Sequence, residues 1–395
     1  MFEYVVLRRS DGGTPISAGI IAEALLFYQK VHLIIDRGTL LQLLQQIGVS
    51  QLISLTQRSD FSAVYTEEML ATITNSVGSM KVHDYGAITL SGDSIGGKLN
   101  STSDRLQFEL ERSGIERGRA KKFTKIFLKN VPVRKLSGDH FLRGGIPNAA
   151  RIDLLDNAYM DAAIRTALPI VAGGCEQSGA LKFEVINTPL GNYVFDNIDF
   201  DGINRRRAAM SPQLEPLNVA HLLSHVHDAR ADIALAAYYG GDFMTSNITS
   251  SLVQLRHDVL LQRTRSNSDA KRQFIEIALP DMPTIAEVID SGDRTFDDYL
   301  RLLDKSVRFK HWIKSANPDE GLVREYVLSV SSQDWVQTTQ VKSMRYVLTL
   351  AMDMVNPMAG IAAGFADNFL VEKLLGGWRP NHFINNQLEP FLGKH

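Results

Sequence analysis

Two short runs of β-branched and aliphatic residues, Phe2–Leu7 and Val31–Asp36, flank Ala18–Lys30, whose apolar residues recur at helical spacing behind Ser17 as an N-cap. This pattern predicts a β-α-β unit. Thr39–Ile47 and Ser50–Gln57 read as helices divided by Gly48, and Phe61–Thr66 as another strand, so strands alternate with helices as in a sheet with parallel character. Lys81–Leu90 adds a strand, Gly92–Ser103 a Gly- and Ser-rich loop, and Asp104–Arg112 a charged helix. Farther along, Leu181–Asn187 and Asn192–Phe200 flank Thr188–Gly191 at the spacing of a β-hairpin.

Beyond Ser211-Pro212 and Glu215-Pro216 the period changes. Helical spacing covers about Val219–Tyr239, Ser250–Arg263, Phe296–Lys314 and Leu322–Ser331. The expected architecture is an α/β N-terminal half, residues 1–210, holding a mixed sheet with β-α-β character and a β-hairpin. A mostly α-helical C-terminal half, residues 211–395, follows and ends in an apolar helical hairpin. No repeat of fixed period and no low-complexity tract occurs, which sets aside solenoids and propellers.

Composition narrows the functional classes only a little. With 395 residues, 44% of them apolar, the chain is long enough for two or more packed units. Lys plus Arg number 42 against 44 Asp plus Glu, so any electrostatic argument must be local. The single cysteine, Cys175, excludes an internal disulfide framework and a multi-thiolate zinc site, and it suits the cytoplasm. At the N-terminus the apolar residues precede the basic pair Arg8-Arg9, the reverse of a secretory signal, and no export is expected.

The strongest local charge signal is Arg112–Lys135, where nine Lys or Arg side chains stand against Glu116 alone. On a helix, Arg117, Lys121, Lys122, Lys125 and Lys129 fall on one side, with Phe123, Ile126 and Phe127 on the other. Such a row can neutralise nucleic-acid phosphates without reading sequence, or it can be a solvated face anchored by its aromatic residues. Arg205, Arg206 and Arg207 reinforce it if they share its surface.

A second constellation is NVAHLLSHVHDARAD. Spacings of four and three put His221, His225, Asp228 and Asp232 near one helical face. His221 and His225 are metal-ligand candidates, with Asp228 as a further ligand or base, although other segments would have to complete the set. The HEXXH pattern is absent, because Leu222 stands where its glutamate would be. The competing explanation is hydrogen bonding inside a helical bundle. Asp196, Asp199, Asp201 and Asn204 offer oxygen ligands, but the following run of three arginines favours turn chemistry.

At the C-terminal side, Met344–Val355 and Ala359–Leu375 read as two apolar helices either side of Asn356-Pro357. Each arm is shorter than the roughly 20 residues that span a bilayer, and Asp353 and Asp367 interrupt them. Burial within the protein is the default, and membrane insertion after activation is the sharper alternative. Cys175 has no companion motif, and Gly92–Lys98 lacks the spacing of a phosphate-binding loop.

The leading expectation is an interaction or regulatory protein that binds nucleic-acid phosphates through the basic helix. A metal-dependent hydrolase, acting on phosphodiesters through the His/Asp cluster, is the enzyme alternative. A membrane-acting effector is the third. No cofactor is expected apart from the divalent metal of the second reading.

Overall fold

The computed structural model describes residues 2–10, 15–89, 99–139, 141–174, 180–211, 215–317, 321–331 and 378–393. Cys175, Gly92–Lys98 and the apolar arms Met344–Val355 and Ala359–Leu375 lie outside the described residues. An α/β N-terminal half carries one parallel and one antiparallel sheet, and a helix-rich C-terminal half follows.

The chain forms two compact units, one of Tyr4–Ser17 and Lys30–Thr264, the other of Met1–Glu3, Ala18–Gln29 and Arg265–His395. In the first, β1 (Tyr4–Arg8) is hydrogen-bonded in parallel to β2 (Lys30–Ile35), and β2 to β3 (Phe61–Tyr65). Their near-continuous aliphatic runs are buried, the mark of a parallel sheet covered on both faces. The crossover from β1 to β2 carries α1 (Ala18–Phe27), which belongs to the second unit. Between β2 and β3 lies α2 (Arg37–Thr56), capped by the Asp36 carboxylate on the Thr39 N–H at 2.6 Å. It breaks at Gly48, whose φ of +80° only glycine adopts cheaply, where the sequence pattern divides it.

The fourth strand of this sheet is β8 (Asp242–Phe243), which pairs in parallel with the opposite edge of β1, giving the order β3-β2-β1-β8. Sequence periodicity gave no sign of it, since two residues carry no period. A long excursion separates β3 from β8. It holds the antiparallel sheet β4-β5-β7-β6, built from β4 (Glu68–Val77), β5 (Met80–Thr89), β6 (Phe183–Thr188) and β7 (Gly191–Asp196). The β6-β7 hairpin has Thr188 opposite Gly191, the turn expected from sequence.

Helices of the excursion are α3 (Thr102–Arg112), α4 (Arg117–Asn130), α5 (Gly145–Leu154), α6 (Asn157–Val171), α7 (Phe200–Met210) and α8 (Val219–Tyr239). Asp199 caps α7 through the Gly202 N–H at 2.9 Å, and Asp196 accepts from the Ile198 N–H at 2.9 Å, so these acids do turn and cap work. The centre of the unit is α8, which packs on β1, β4, β8, α5, α6 and on α9 (Asn247–Gln254). Its Leu222, Leu223, Val226, Ala229 and Leu235 are each at most 1% exposed.

In the second unit, α1 packs on α11 (Ile285–Asp290), α12 (Phe296–Lys305) and α13 (Val307–Ser315). Gly19 brings α1 so close to α11 that a Cβ there would stand 2.4 Å from the Ala286 carbonyl oxygen. Phe274, on the last turns of α10 (Asp258–Ala278), sits among Phe27, Phe309, Trp312 and Tyr326 of α14 (Leu322–Ser331). The unit ends in α15 (Pro380–Phe383), a π-helical turn Ile384–Leu388 and α16 (Glu389–Leu392), tied down by Arg294 on the carbonyls of Pro390, Phe391 and Gly393. Phe296–Lys314 divides at Ser306, the residue that caps both α12 and α13. No helix among the described residues is long and apolar enough to cross a membrane.

Candidate functional site

Helix α4 begins where Glu116 turns its carboxylate back onto the N–H groups of Gly118 and Arg119, at 2.7 and 3.1 Å, which hold that carboxyl below the usual range. The buried side is Ala120, Phe123, Thr124 and Phe127, an arc of about 100°. It packs on α2 and α3. Phe123 and Phe127 stack at 5.2 Å, and Tyr65 at the end of β3 meets Phe127 edge-on at 5.8 Å. Burying each phenylalanine stabilises the contact by about 2–3 kcal/mol.

The helix stops because Val131 is extended and Pro132 cannot continue it. The chain then runs alongside β3: the Tyr65 N–H donates to the Pro132 carbonyl at 3.0 Å and the Arg134 N–H to the Tyr65 carbonyl at 2.9 Å. A hydrogen bond of 3.2 Å from Asn130 to Thr56 ties its last turn to the end of α2.

Arg117, Lys121, Lys122, Lys125 and Lys129 are all exposed, on an arc of about 140° beside the buried one. Among the described residues Lys121, Lys122, Lys125 and Lys129 make no ion pair, and Arg117 reaches only Glu111 at 3.9 Å. Neighbouring acids are engaged elsewhere, Glu109 with Arg37 at 2.9 Å and Glu67 with Arg105 at 2.6 Å. Of the three arginines on α7, Arg207 is spent on the backbone carbonyls of Val171 and Glu215.

The His/Asp constellation of α8 is divided among structural tasks. Asp228 and Asp232 both take the buried Arg8 guanidinium, at 2.7 and 2.9 Å. Burial opposes the charge on Arg8, but Asp232 and Asp228 raise it above its ordinary range; burial in turn raises the carboxyl of Asp232. His221 is half-buried, 3.7 Å from Glu215, while His225 is buried. His227, which sequence spacing left off this face, lies against the Tyr85 ring at 4.5 Å, and burial with the charges of Arg8 and Arg151 lowers it to about 3. No three His, Cys, Asp or Glu side chains among the described residues come together as a metal-binding group. Of the metal-ligand candidates His221, His225 and Asp228, the last is engaged by Arg8.

Sequence reasoning missed a cleft of about 330 Å³ beyond the carboxyl ends of β1, β2 and β3. Arg8, Arg9 and Ser10 reach it from β1, Asp36 from β2 and Thr66 from β3; β4 and the first turns of α8 close its sides.

Comparison with protein-family models, with curated proteins and with solved structures found no match.

Proposed function

We propose that this protein is an interaction or regulatory protein that binds nucleic-acid phosphates through α4. The observation that carries the reading is the exposed row Arg117, Lys121, Lys122, Lys125 and Lys129 on a helix fixed from behind by Phe123 and Phe127. From Arg117 to Lys129 the row extends roughly 18 Å, the axial length of about five base pairs. The aromatic anchor means that little backbone conformational entropy is lost when phosphates bind. The reading assigns the protein to the cytoplasm, supported by Cys175 as the only thiol in the chain.

The test is binding of labelled duplex and single-stranded DNA and RNA against salt, with the five residues replaced together by Gln. Five phosphate contacts give a log–log salt slope near −4.5 on duplex DNA, so affinity falls about 500-fold between about 50 and 200 mM salt. The variant should lose this binding and keep its circular dichroism and melting temperature, since all five side chains are exposed. Absence of binding at about 50 mM salt, or unchanged affinity in the variant, refutes the reading. So does binding of anionic lipid vesicles in place of nucleic acid.

A further inference from the structure

Strand β1 lies between β2, which follows it directly, and β8, which the chain reaches only after the long excursion. All three run parallel. Parallel sheets of this kind hold ligands beyond the carboxyl ends of their strands. The cleft of about 330 Å³ lies beyond the carboxyl ends of β1, β2 and β3, at the small end of the range of about 300–1,000 Å³ for small-molecule sites.

The charge of its walls selects against anions. Asp36, Glu68 and Asp228 line the cleft with Arg8 and Arg9, three carboxylates against two guanidinium groups, and Arg8 is further held by Asp232 outside the lining. Carboxylates only accept hydrogen bonds, so the ligand must donate them. Asp36 is held by the Thr39 N–H at 2.6 Å, and Glu68 by the Ser137 N–H and hydroxyl at 2.8 and 2.7 Å. Each retains lone pairs, and both are fixed before any ligand arrives. Ile34, Leu70 and Leu136, from three separate segments, supply an apolar wall on which a flat ring can lie.

We infer that this cleft binds a neutral ribonucleoside, with ribose hydroxyls donating to Asp36 and Glu68 and the base lying against Ile34, Leu70 and Leu136. A 5′-phosphate would bring negative charge to a site that already holds an excess of it. The site is independent of α4, because the five-residue Gln variant leaves every one of these groups in place.

The experiment is calorimetric titration of the full chain with adenosine, guanosine, cytidine and uridine, their 2′-deoxy forms and their 5′-monophosphates. Two variants accompany it. Asp36→Asn removes the charge and keeps the cap of α2, since Asn caps a helix as well as Asp does. Ala220→Phe fills the cleft from the half-buried second position of α8. At least one ribonucleoside should bind, and its deoxy form, its monophosphate and the Asp36→Asn protein should each show affinity lower by about tenfold or more. Ala220→Phe should abolish binding, and circular dichroism should show both variants folded. The inference is overturned if no nucleoside binds at about 1 mM, if a monophosphate or a simple polyamine binds more tightly, or if the deoxy form binds equally. Undiminished affinity in a folded Asp36→Asn protein, or binding that persists in a folded Ala220→Phe protein, overturns it as well.

Discussion

Lowering the pH from about 7.5 to about 5 should cost the sheet-bearing unit roughly 4 kcal/mol of stability, because two buried histidines resist taking up a proton. His32 on β2 is 4% exposed and stacks on Tyr239 at 3.7 Å; burial lowers it to about 4. His227 on α8 is 1% exposed and lowered to about 3. In the unfolded chain each titrates near 6.5, so between that value and the folded one the unfolded state binds more protons. Stability is therefore full above pH ~6.5 and falls with pH, each histidine contributing a loss of about 2 kcal/mol by pH ~5. His83 and His257, also lowered by burial, act in the same direction, whereas the raised Asp232 acts in the opposite one. His227→Phe isolates one contribution, since it keeps a ring against Tyr85 and leaves every other group unchanged. Urea melts followed by far-UV circular dichroism, with hydrogen exchange of β2 and α8, are the assay. With m near ~3 kcal/mol/M the wild-type midpoint should fall by about 1 M or more, and the variant should recover about half of that fall. A wild-type midpoint that does not move, or a variant with the full pH dependence, refutes the reasoning.

Two further outcomes follow from backbone geometry. Gly145 sits at φ +80°, and a Cβ there would lie 2.3 Å from the Ser137 carbonyl oxygen, so Gly145→Ala should destabilise by more than about 2 kcal/mol in urea melts. Unchanged stability would contradict that geometry. Thr295 closes a capping box with Asp298 at the start of α12, so Thr295→Ala should cost about 1 kcal/mol and speed hydrogen exchange in the first turn of α12; exchange that is slower or unaltered would count against the cap.

What the sequence made legible was what is local. The aliphatic runs of β1, β2 and β3, the break at Gly48, the β6-β7 turn and the two faces of α4 each depend on residues within a few positions of one another. Strand β4 escaped because its period is incomplete: Met69 and Ile73 are exposed while Leu70 is buried, and the last half of the strand is mostly exposed. Helix α5 was hidden by Gly144 and Gly145, both at positive φ, and by Pro147 in its first turn, and α6 by Pro169 near its end. The His/Asp pattern of α8 was plain in the sequence, but its meaning was not, because the partner that engages Asp228 is Arg8, 220 residues earlier.

The two candidate sites differ in the same way, and the difference bears on how their ligands relate. The cations of α4 come from one helix and leave positive charge unneutralised among the described residues. The cleft draws Arg9, Asp36, Glu68 and Asp228 from four segments that β1-β2 pairing, the packing of α8 on β1 and β4, and a buried ion triad bring together. Removing Arg8 would take the guanidinium counter-charge from two buried carboxylates, a change of the kind that costs about 3–5 kcal/mol, so the cleft is bound up with the stability of the unit. A ligand suited to α4 carries phosphates, and a ligand suited to the cleft donates hydrogen bonds to carboxylates that repel phosphates. One small anionic molecule cannot satisfy both chemistries, which is why each site needs its own titration and why a positive result at one is no evidence for the other.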